Sequence, residues 1–180
     1  MVSLCSLSTY LPDPLASALE IGPGEEAALA TELVGAYPHI KLYLMDGDGT
    51  APPRSAYRPT TEAWFSRDKA VASVLASHPE ADVTGVPPDP SLSFPGLDLI
   101  ISTQSWGYHY PVETYLGLAV RSLRPGGRII LDHRMNAKAA HGGEQAMLEA
   151  GFAKIAVTER QYKWHRAVYE NSRDGRRMVW

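Results

Sequence analysis

The chain has 180 residues, of which 44% are hydrophobic and 21% charged, and its 17 basic and 20 acidic residues give a net charge of −3. This length suits one domain, so we expect a single domain over residues 1–180. The composition excludes a disordered chain, which combines low hydrophobicity with high net charge. The charge balance also argues against a nucleic-acid binder, which depends on clustered Lys and Arg.

Cysteine content and hydropathy exclude further classes of protein and of binding site. Cys5 is the single cysteine, which excludes an internal disulfide and a Cys-rich zinc site, and we expect no metal centre. The N-terminus has no basic stretch followed by a long apolar run, so it does not resemble a signal peptide. Because no segment approaches the ~20 apolar residues of a membrane span, we expect a cytoplasmic protein with no membrane partner.

The first half of the chain alternates strands and helices. Residues 16–21 predict a short strand that ends in a glycine turn, and residues 25–37 predict a helix with one apolar face. Residues 40–45 form a nearly continuous apolar run, which is typical of a strand buried on both faces. After a proline-rich segment at 51–60, the pattern predicts a helix over about 61–77, capped by Thr60 or Thr61.

The second half continues the alternation. A weak strand at 81–86 and a proline-rich segment precede a strong buried strand at 97–102. Further elements are predicted in this order: a helix at 112–123, a strand at 128–133, a helix that ends at Gly151, and two strands within 153–171. This order predicts an α/β fold in three layers, with helices on both faces of the sheet.

Ligands of such sheets bind outside the carboxyl ends of the strands, which selects the segments EIGPGEE, MDGDG, STQSWGYHYP and DHRMN. Gly22 and Gly24 allow a tight turn and a close approach of a ligand to the backbone. Asp46, 22 residues after Gly24, is placed to bind both hydroxyls of a ribose. A plain strand-to-helix turn with a turn aspartate would have the same sequence, so this alternative stays open.

The segment GPGEEA also fits the G-x-G-x-x-A pattern of nicotinamide and flavin sites. Two features argue against that assignment. Glu25 and Glu26 lie at the helix start, where a pyrophosphate would need the helix dipole. Glu20, directly before the turn, suits a ligand with a positive centre better than one with two phosphates. A nucleotide-dependent oxidoreductase therefore remains only a minor alternative.

Several motifs together carry a family resemblance. They are EIGPG at 20–24, Asp46 after the second strand, LDLIIS at 97–102, LRPGG at 123–127 and AGF at 150–152. Their order and spacing resemble the class I S-adenosylmethionine-dependent methyltransferases. The resemblance implies a mostly parallel, seven-stranded Rossmann-like sheet that ends in an antiparallel strand pair. It leaves only a minimal extension before the first strand.

The resemblance also implies roles for individual residues. Gly22, Pro23 and Gly24 would carry the methionine part of S-adenosylmethionine, and Glu20 would help to hold its amino group. Asp46, with Gly47 beside it, would bind the ribose hydroxyls. The other implied cofactor contacts are Asp89 at the adenine amino group, and Ser102 and Thr103 beside the reactive methyl group.

The segment STQSWGYHYP places four rings directly after a buried strand. Trp106, Tyr108 and Tyr110 predict a substrate wall, because aromatic rings offer broad apolar contact with polar tips. His109 is a candidate general base. Packing of these rings onto the sheet, with His109 in a structural role, is the alternative interpretation.

Two residues after the fifth strand are further candidates. His133 is a second possible base, and Arg134 could meet an anionic substrate, although a surface ion pair is the commoner role of an arginine at a strand end.

The loop after the fourth strand also bears on the class of acceptor. It has no N/D-P-P-Y/F motif of the kind found in methyltransferases that act on nucleic-acid bases or glutamine amides. The aromatic wall with a histidine suits a small-molecule acceptor with an oxygen nucleophile, such as a sugar or polyol. A non-catalytic binding or assembly protein of the same fold is the alternative. A homo-oligomer or a partner subunit could complete an open site.

Overall fold

The computed structural model describes residues 3–50, 65–135, 143–161 and 163–173. Seven strands are present: β1 (Ser17–Ile21), β2 (Lys41–Met45), β3 (Asp82–Val86), β4 (Leu97–Ser102), β5 (Leu123–Arg134), β6 (Phe152–Arg160) and β7 (Trp164–Asn171). The described helices are α1 (Ala28–Ala36), α2 (Arg67–Ser77), α3 (Glu113–Ser122) and α4 (Gly143–Glu149), and two short 3-10 turns, Leu4–Ser6 and Ser8–Tyr10, precede β1.

The strands form one sheet in the order β3-β2-β1-β4-β5-β7-β6. Strand β7 runs antiparallel to both of its neighbours, and the remaining pairs are parallel. The predicted α/β fold with a seven-stranded, mostly parallel sheet is therefore confirmed. Strand order reverses between β1 and β4, so the carboxyl ends of these central strands frame the ligand-binding edge of the sheet.

Side chains of the central strands alternate between two apolar cores, one on each face. Ala18 belongs to the core beneath α1, α2 and the 3-10 turns, whereas Leu19 belongs to the core beneath α3 and α4. Leu99 and Ile100 of β4 divide in the same way. This two-residue alternation explains why both sides of the strands are apolar in sequence, and each fully buried Leu or Ile contributes about 1.5–3 kcal/mol.

Two helices begin later than their patterns predict. Helix α1 begins at Ala28, and Ala27 before it adopts a left-handed conformation (φ 44°) with no capping side chain, so Glu25 and Glu26 lie in the preceding turn. Helix α2 begins after Ser66, whose Oγ accepts a hydrogen bond from the Lys69 N–H group. The predicted caps Thr60 and Thr61, and the loop at 51–60, lie outside the described residues.

Strand β5 begins at Leu123, earlier than predicted. Leu123 pairs with Leu97 of β4, an irregularity follows at residues 124–127, and the pairing resumes with Arg128 opposite Leu99. Gly151 follows α4 with φ 87°, as expected of a glycine at a helix end. Within the described ranges, no helix has the length and apolar character needed to cross a bilayer.

The β5–β7 pairing buries an ion pair. Asp132 lies opposite Arg166, and the guanidinium donates from Nε to Oδ1 at 2.7 Å and from Nη2 to Oδ2 at 2.8 Å. The two residues are 0% and 1% exposed. Two parallel charge-assisted bonds satisfy both groups, which buried charges require.

Loss of this ion pair should destabilise the sheet. We expect Arg166→Met to lower the free energy of unfolding by about 3–5 kcal/mol, because it leaves the Asp132 carboxylate buried without its counter-ion. Urea unfolding followed by circular dichroism measures the change. The double variant Arg166→Met/Asp132→Asn should recover part of the loss. Equal stability of the single and double variants would contradict the prediction.

Candidate functional site

The turn between β1 and α1 is shaped by two glycines with left-handed backbone. Gly22 has φ 74° and Gly24 has φ 69°. A β-carbon on Gly22 would lie 2.2 Å from Oγ of Ser105, so a larger residue cannot fit there without moving the loop that follows β4. Gly24 faces open space, with no atom within 4 Å of the position that a β-carbon would take. The turn therefore leaves room for a ligand above Gly24.

Glu20 is the charged residue of β1, one position before the strand ends, and it is buried. It is 2% exposed, and its Oε2 atom has no hydrogen-bond partner among the described residues. Burial, together with the nearby Asp46 carboxylate, raises the pKa of Glu20 to about 8. A carboxyl group in this condition would gain from contact with a cation or a hydrogen-bond donor.

Asp46 follows β2 and is 3% exposed. Its Oδ1 atom accepts a hydrogen bond from the Gly47 N–H group at 2.8 Å, whereas Oδ2 has no partner within the described part of the chain. Burial raises the pKa of Asp46 to about 6, and the bond from Gly47, with weaker interactions from the N–H groups of Gly24 and Phe65, limits the rise. Asp46 therefore has a free acceptor atom on a buried wall.

Two cavities flank these carboxylates. The smaller, of about 80 Å³, contains the Asp46 side chain and is lined by Ile21, Gly22, Met45, Asp46, Phe65, Pro88, Gln104, Ser105, His109, Tyr110 and Tyr115. The larger, of about 550 Å³, contains Glu20 and is lined by Glu20, Pro23, Gly24, Glu25, Glu26, Ala28, Leu29, Phe65, Thr103, Gln104, Glu159, Gln161 and Trp164. Phe65 and Gln104 belong to both walls.

Two residues predicted to contact a ligand, Ser102 and Trp106, make structural hydrogen bonds instead. Ser102 is 1% exposed; its Oγ donates to the Ile21 carbonyl at 2.7 Å and accepts from the Trp106 N–H group at 2.9 Å. Trp106 is 0% exposed, and its indole N–H group donates to the Val112 carbonyl at 2.8 Å. The structure thus places Ser102 between strands and Trp106 in the core, instead of against a ligand. Thr103 does line the larger cavity.

Some of the remaining residues of this loop line a cavity and others do not. His109 and Tyr110 line the smaller cavity, beside Asp46. The Tyr108 ring packs edge-on against His109, with centroids 4.9 Å apart, and the Arg134 guanidinium lies 5.3 Å from the Tyr108 ring. Neither Tyr108 nor Arg134 lines either cavity. The predicted substrate wall is therefore represented at the cavities by Tyr110 alone.

His133 lies away from both cavities, beneath α4. It is 4% exposed, its Nε2 atom lies 2.6 Å from the Tyr169 hydroxyl, and its ring stacks on His165 at 5.2 Å. Burial, with the neighbouring His165, lowers the pKa of His133 to about 4. Its position gives it a structural hydrogen bond instead of access to a substrate.

Two predicted cofactor residues lie beside the smaller cavity and not in its wall. Asp89 accepts a hydrogen bond from the Ser91 N–H group at 2.8 Å, and its bonds to Ser91 lower its pKa. Its neighbour Pro88 does line this cavity. Gly47 is buried, and its carbonyl accepts from the Arg67 N–H group at 3.0 Å, which fixes the start of α2 behind Asp46.

Several wall residues were missed by sequence reasoning. Glu159, Gln161 and Trp164 belong to the β6–β7 hairpin, and Gln104 has a left-handed backbone (φ 58°). The rule of strand carboxyl ends does not select Trp164, because β7 is antiparallel and its first residue therefore lies at the same edge of the sheet. The described residues include no group of three or more His, Cys, Asp or Glu arranged to hold a metal ion.

Burial of Glu20 should make stability depend on pH. The folded protein keeps the Glu20 proton up to about pH 8, whereas an unfolded glutamate releases it near 4.5. The corresponding stability is present below the unfolded pKa and is lost as pH rises through the folded pKa, by on the order of a few kcal/mol.

We therefore expect Glu20→Gln to flatten the decline in unfolding free energy between about pH 5 and 8, as measured by urea titration at several pH values. Glu80→Gln, at an exposed glutamate, is the matched control. A decline as steep in Glu20→Gln as in the control would argue against a protonated Glu20.

Comparison with known proteins finds similarity in structure alone. No protein-family model matches the chain, and no curated protein sequence matches it significantly. Among solved structures, a methyltransferase from Pyrococcus furiosus is 17% identical with a TM-score of 0.63, and the match covers 93% of this chain and 80% of that one.

Two further structures show the same similarity. The S-adenosylmethionine-dependent methyltransferase SibL in its apo form is 17% identical with a TM-score of 0.58, over 95% of this chain and 56% of SibL. The mitomycin 7-O-methyltransferase MmcR is 14% identical with a TM-score of 0.60, over 92% of this chain and 52% of MmcR. The chain thus spans little more than half of each of these two. It has the fold of the S-adenosylmethionine-dependent methyltransferases.

Proposed function

We propose that this protein binds S-adenosylmethionine and transfers its methyl group to a small molecule. The observation that carries the proposal is the pair of buried carboxylates, Glu20 and Asp46, at the ends of neighbouring strands. Each has an oxygen atom without a hydrogen-bond partner in the described residues, and each faces a cavity. The fold shared with methyltransferases supports the same assignment.

The residues present fit this cofactor. The free Oδ2 atom of Asp46 is suited to ribose hydroxyls, which donate hydrogen bonds, and Glu20 is suited to the amino group of the methionine part. Gly24 leaves the backbone open between them. We place the adenine ring of the cofactor beside Pro88, where the neighbouring Asp89 would contact the adenine amino group. When bound, the cofactor supplies a methyl group activated by a positively charged sulfur.

The acceptor is assigned to the part of the larger cavity beside Thr103, Gln104 and Gln161, because Glu20, Pro23 and Gly24 of the same wall are assigned to the cofactor. The volume of the whole cavity, about 550 Å³, falls in the range of about 300–1,000 Å³ typical of small-molecule sites. Thr103, Gln104 and Gln161 offer neutral hydrogen-bonding groups suited to a hydroxylated molecule such as a sugar or polyol. An oxygen acceptor is our preferred class, and the structural neighbour MmcR is named as an O-methyltransferase.

An oxygen acceptor must lose its hydroxyl proton as the new carbon–oxygen bond forms. The protein's part is to align the hydroxyl with the methyl group and to receive that proton. His109 is our candidate, and it lines the cavity next to Asp46, so this role requires the hydroxyl to enter from the side of Gln104, which both cavities share.

A second candidate function, binding without catalysis, is favoured by one observation. Ser105 packs directly against Gly22, and the cavity beside Asp46 measures only about 80 Å³. This volume is well below that of common ligand sites, so a nucleoside enters only if part of the cavity wall moves, such as the loop after β4. Failure of that movement would leave a protein that keeps the fold and binds other molecules.

Calorimetric titration with S-adenosylhomocysteine tests cofactor binding directly. We expect binding by the unaltered protein and about tenfold or greater weakening in Asp46→Asn, because an amide donates where the ribose hydroxyls also donate. Asp89→Asn should weaken binding less, because Asp89 does not line the cavity.

Asp82→Asn is the matched control, since Asp82 begins β3 at the opposite edge of the sheet and is exposed. Its affinity should equal that of the unaltered protein. Absence of binding to the unaltered protein at high micromolar ligand would refute the proposed function.

A further inference from the structure

Glu20 and Asp46 are two buried carboxylates on neighbouring strands. Glu20 lies one residue before the end of β1, and Asp46 directly follows β2, which pairs with β1. They are 2% and 3% exposed, and each has an oxygen atom without a hydrogen-bond partner among the described residues. Two ionised carboxylates in such surroundings would repel each other while lacking the water that normally stabilises them, so a proton on one of the two is favoured.

The larger cavity offers Glu20 no cation in place of that proton. Its wall contains no Lys, Arg or His within the described ranges, and its other charged residues are all acidic: Glu25, Glu26 and Glu159. The basic groups behind the wall already have partners. Nζ of Lys69 in α2 lies 3.1 Å from both oxygens of Glu25, and Nη1 of Arg166 in β7 lies 3.2 Å from Glu159. The wall residues from α1 and from the loop after β4 are uncharged: Ala28, Leu29, Thr103 and Gln104.

The surroundings of Asp46 favour its ionised form more than those of Glu20 do. The Gly47 N–H group donates to Oδ1 of Asp46 at 2.8 Å. The other titratable residues around Asp46 in the smaller cavity are His109, Tyr110 and Tyr115. In agreement with this difference, the pKa of Glu20 is raised to about 8 and that of Asp46 only to about 6. The shared proton therefore belongs to Glu20 at neutral pH.

We propose that S-adenosylmethionine binds by exchange of one positive charge for another, in which Glu20 releases its proton to solvent as the ammonium group of the cofactor takes the place of that proton. The O–H bond of the carboxyl group breaks, its electron pair stays on the carboxylate, and the ammonium group keeps its three hydrogens. This inference rests on the proposed function and adds the way in which pH regulates it. Because the proton must leave, the affinity for the cofactor falls as pH falls below the pKa of Glu20.

Calorimetric titration at several pH values, in buffers of different ionisation enthalpy, measures both the affinity and the number of protons released. For S-adenosylhomocysteine, which keeps the amino group, we expect the affinity to rise at least about fivefold from about pH 6.5 to about pH 8, with release of close to one proton at neutral pH. 5′-Methylthioadenosine has the same nucleoside without the amino-acid part. Its affinity should change less than about twofold over this range, because Asp46 is already largely ionised there.

Glu20→Gln assigns the released proton to its source. The variant should lose most of the pH dependence and of the proton release with S-adenosylhomocysteine, because an amide neither releases a proton nor becomes charged. Glu80→Gln, at an exposed glutamate, is the matched control and should keep both. The comparison of the two ligands on the unaltered protein remains decisive if Glu20→Gln fails to fold.

The failure of this proposal differs from that of the proposed function. No binding of S-adenosylhomocysteine to the unaltered protein overturns the proposed function. Binding of that ligand with constant affinity across the pH range, and without proton release, overturns the exchange and leaves methyl transfer standing. An equal pH dependence for the two ligands, or proton release that persists in full in Glu20→Gln, overturns the assignment of the proton to Glu20.

Discussion

The site depends on the position of β1 at the centre of the sheet. Strands β2 and β4 pair with its two edges, and helices cover both faces, so β1 is inaccessible to water along nearly its whole length. A carboxylate at its end therefore cannot turn into solvent. Glu20 stays in the interior, where burial raises its pKa to about 8, and a positively charged partner would favour its ionised form. Asp46 is subject to the same constraint one strand away.

The antiparallel direction of β7 supplies the other half of the site. A parallel strand there would bring its carboxyl end to the ligand edge, and the chain would then leave the sheet. The reversed strand instead brings the β6–β7 connection to this edge, with Glu159 and Trp164 in the cavity wall and Arg166 beneath them. One strand direction thus places an acidic, aromatic wall opposite the glycine turn.

Periodicity and strand-end rules predicted the alternating strands and helices and selected the glycine turn, Glu20 and Asp46, whereas the seven-stranded, mostly parallel sheet was implied by the family resemblance. They could not place Trp106, because a large ring after a strand has the same sequence signature whether it faces a ligand or the core. The decisive contact, from its indole N–H group to the Val112 carbonyl, depends on the path of the loop. The structural role of His133 could not be predicted for a similar reason, since its partner Tyr169 lies 36 residues further along the chain, in the neighbouring strand β7.

Phe65 and Gln104 stand between the two cavities as a shared partition. A ligand that displaces either side chain on one side changes the shape of the space on the other. Any such displacement would link binding in the two cavities, and each ligand would then alter the affinity of the other by the same factor.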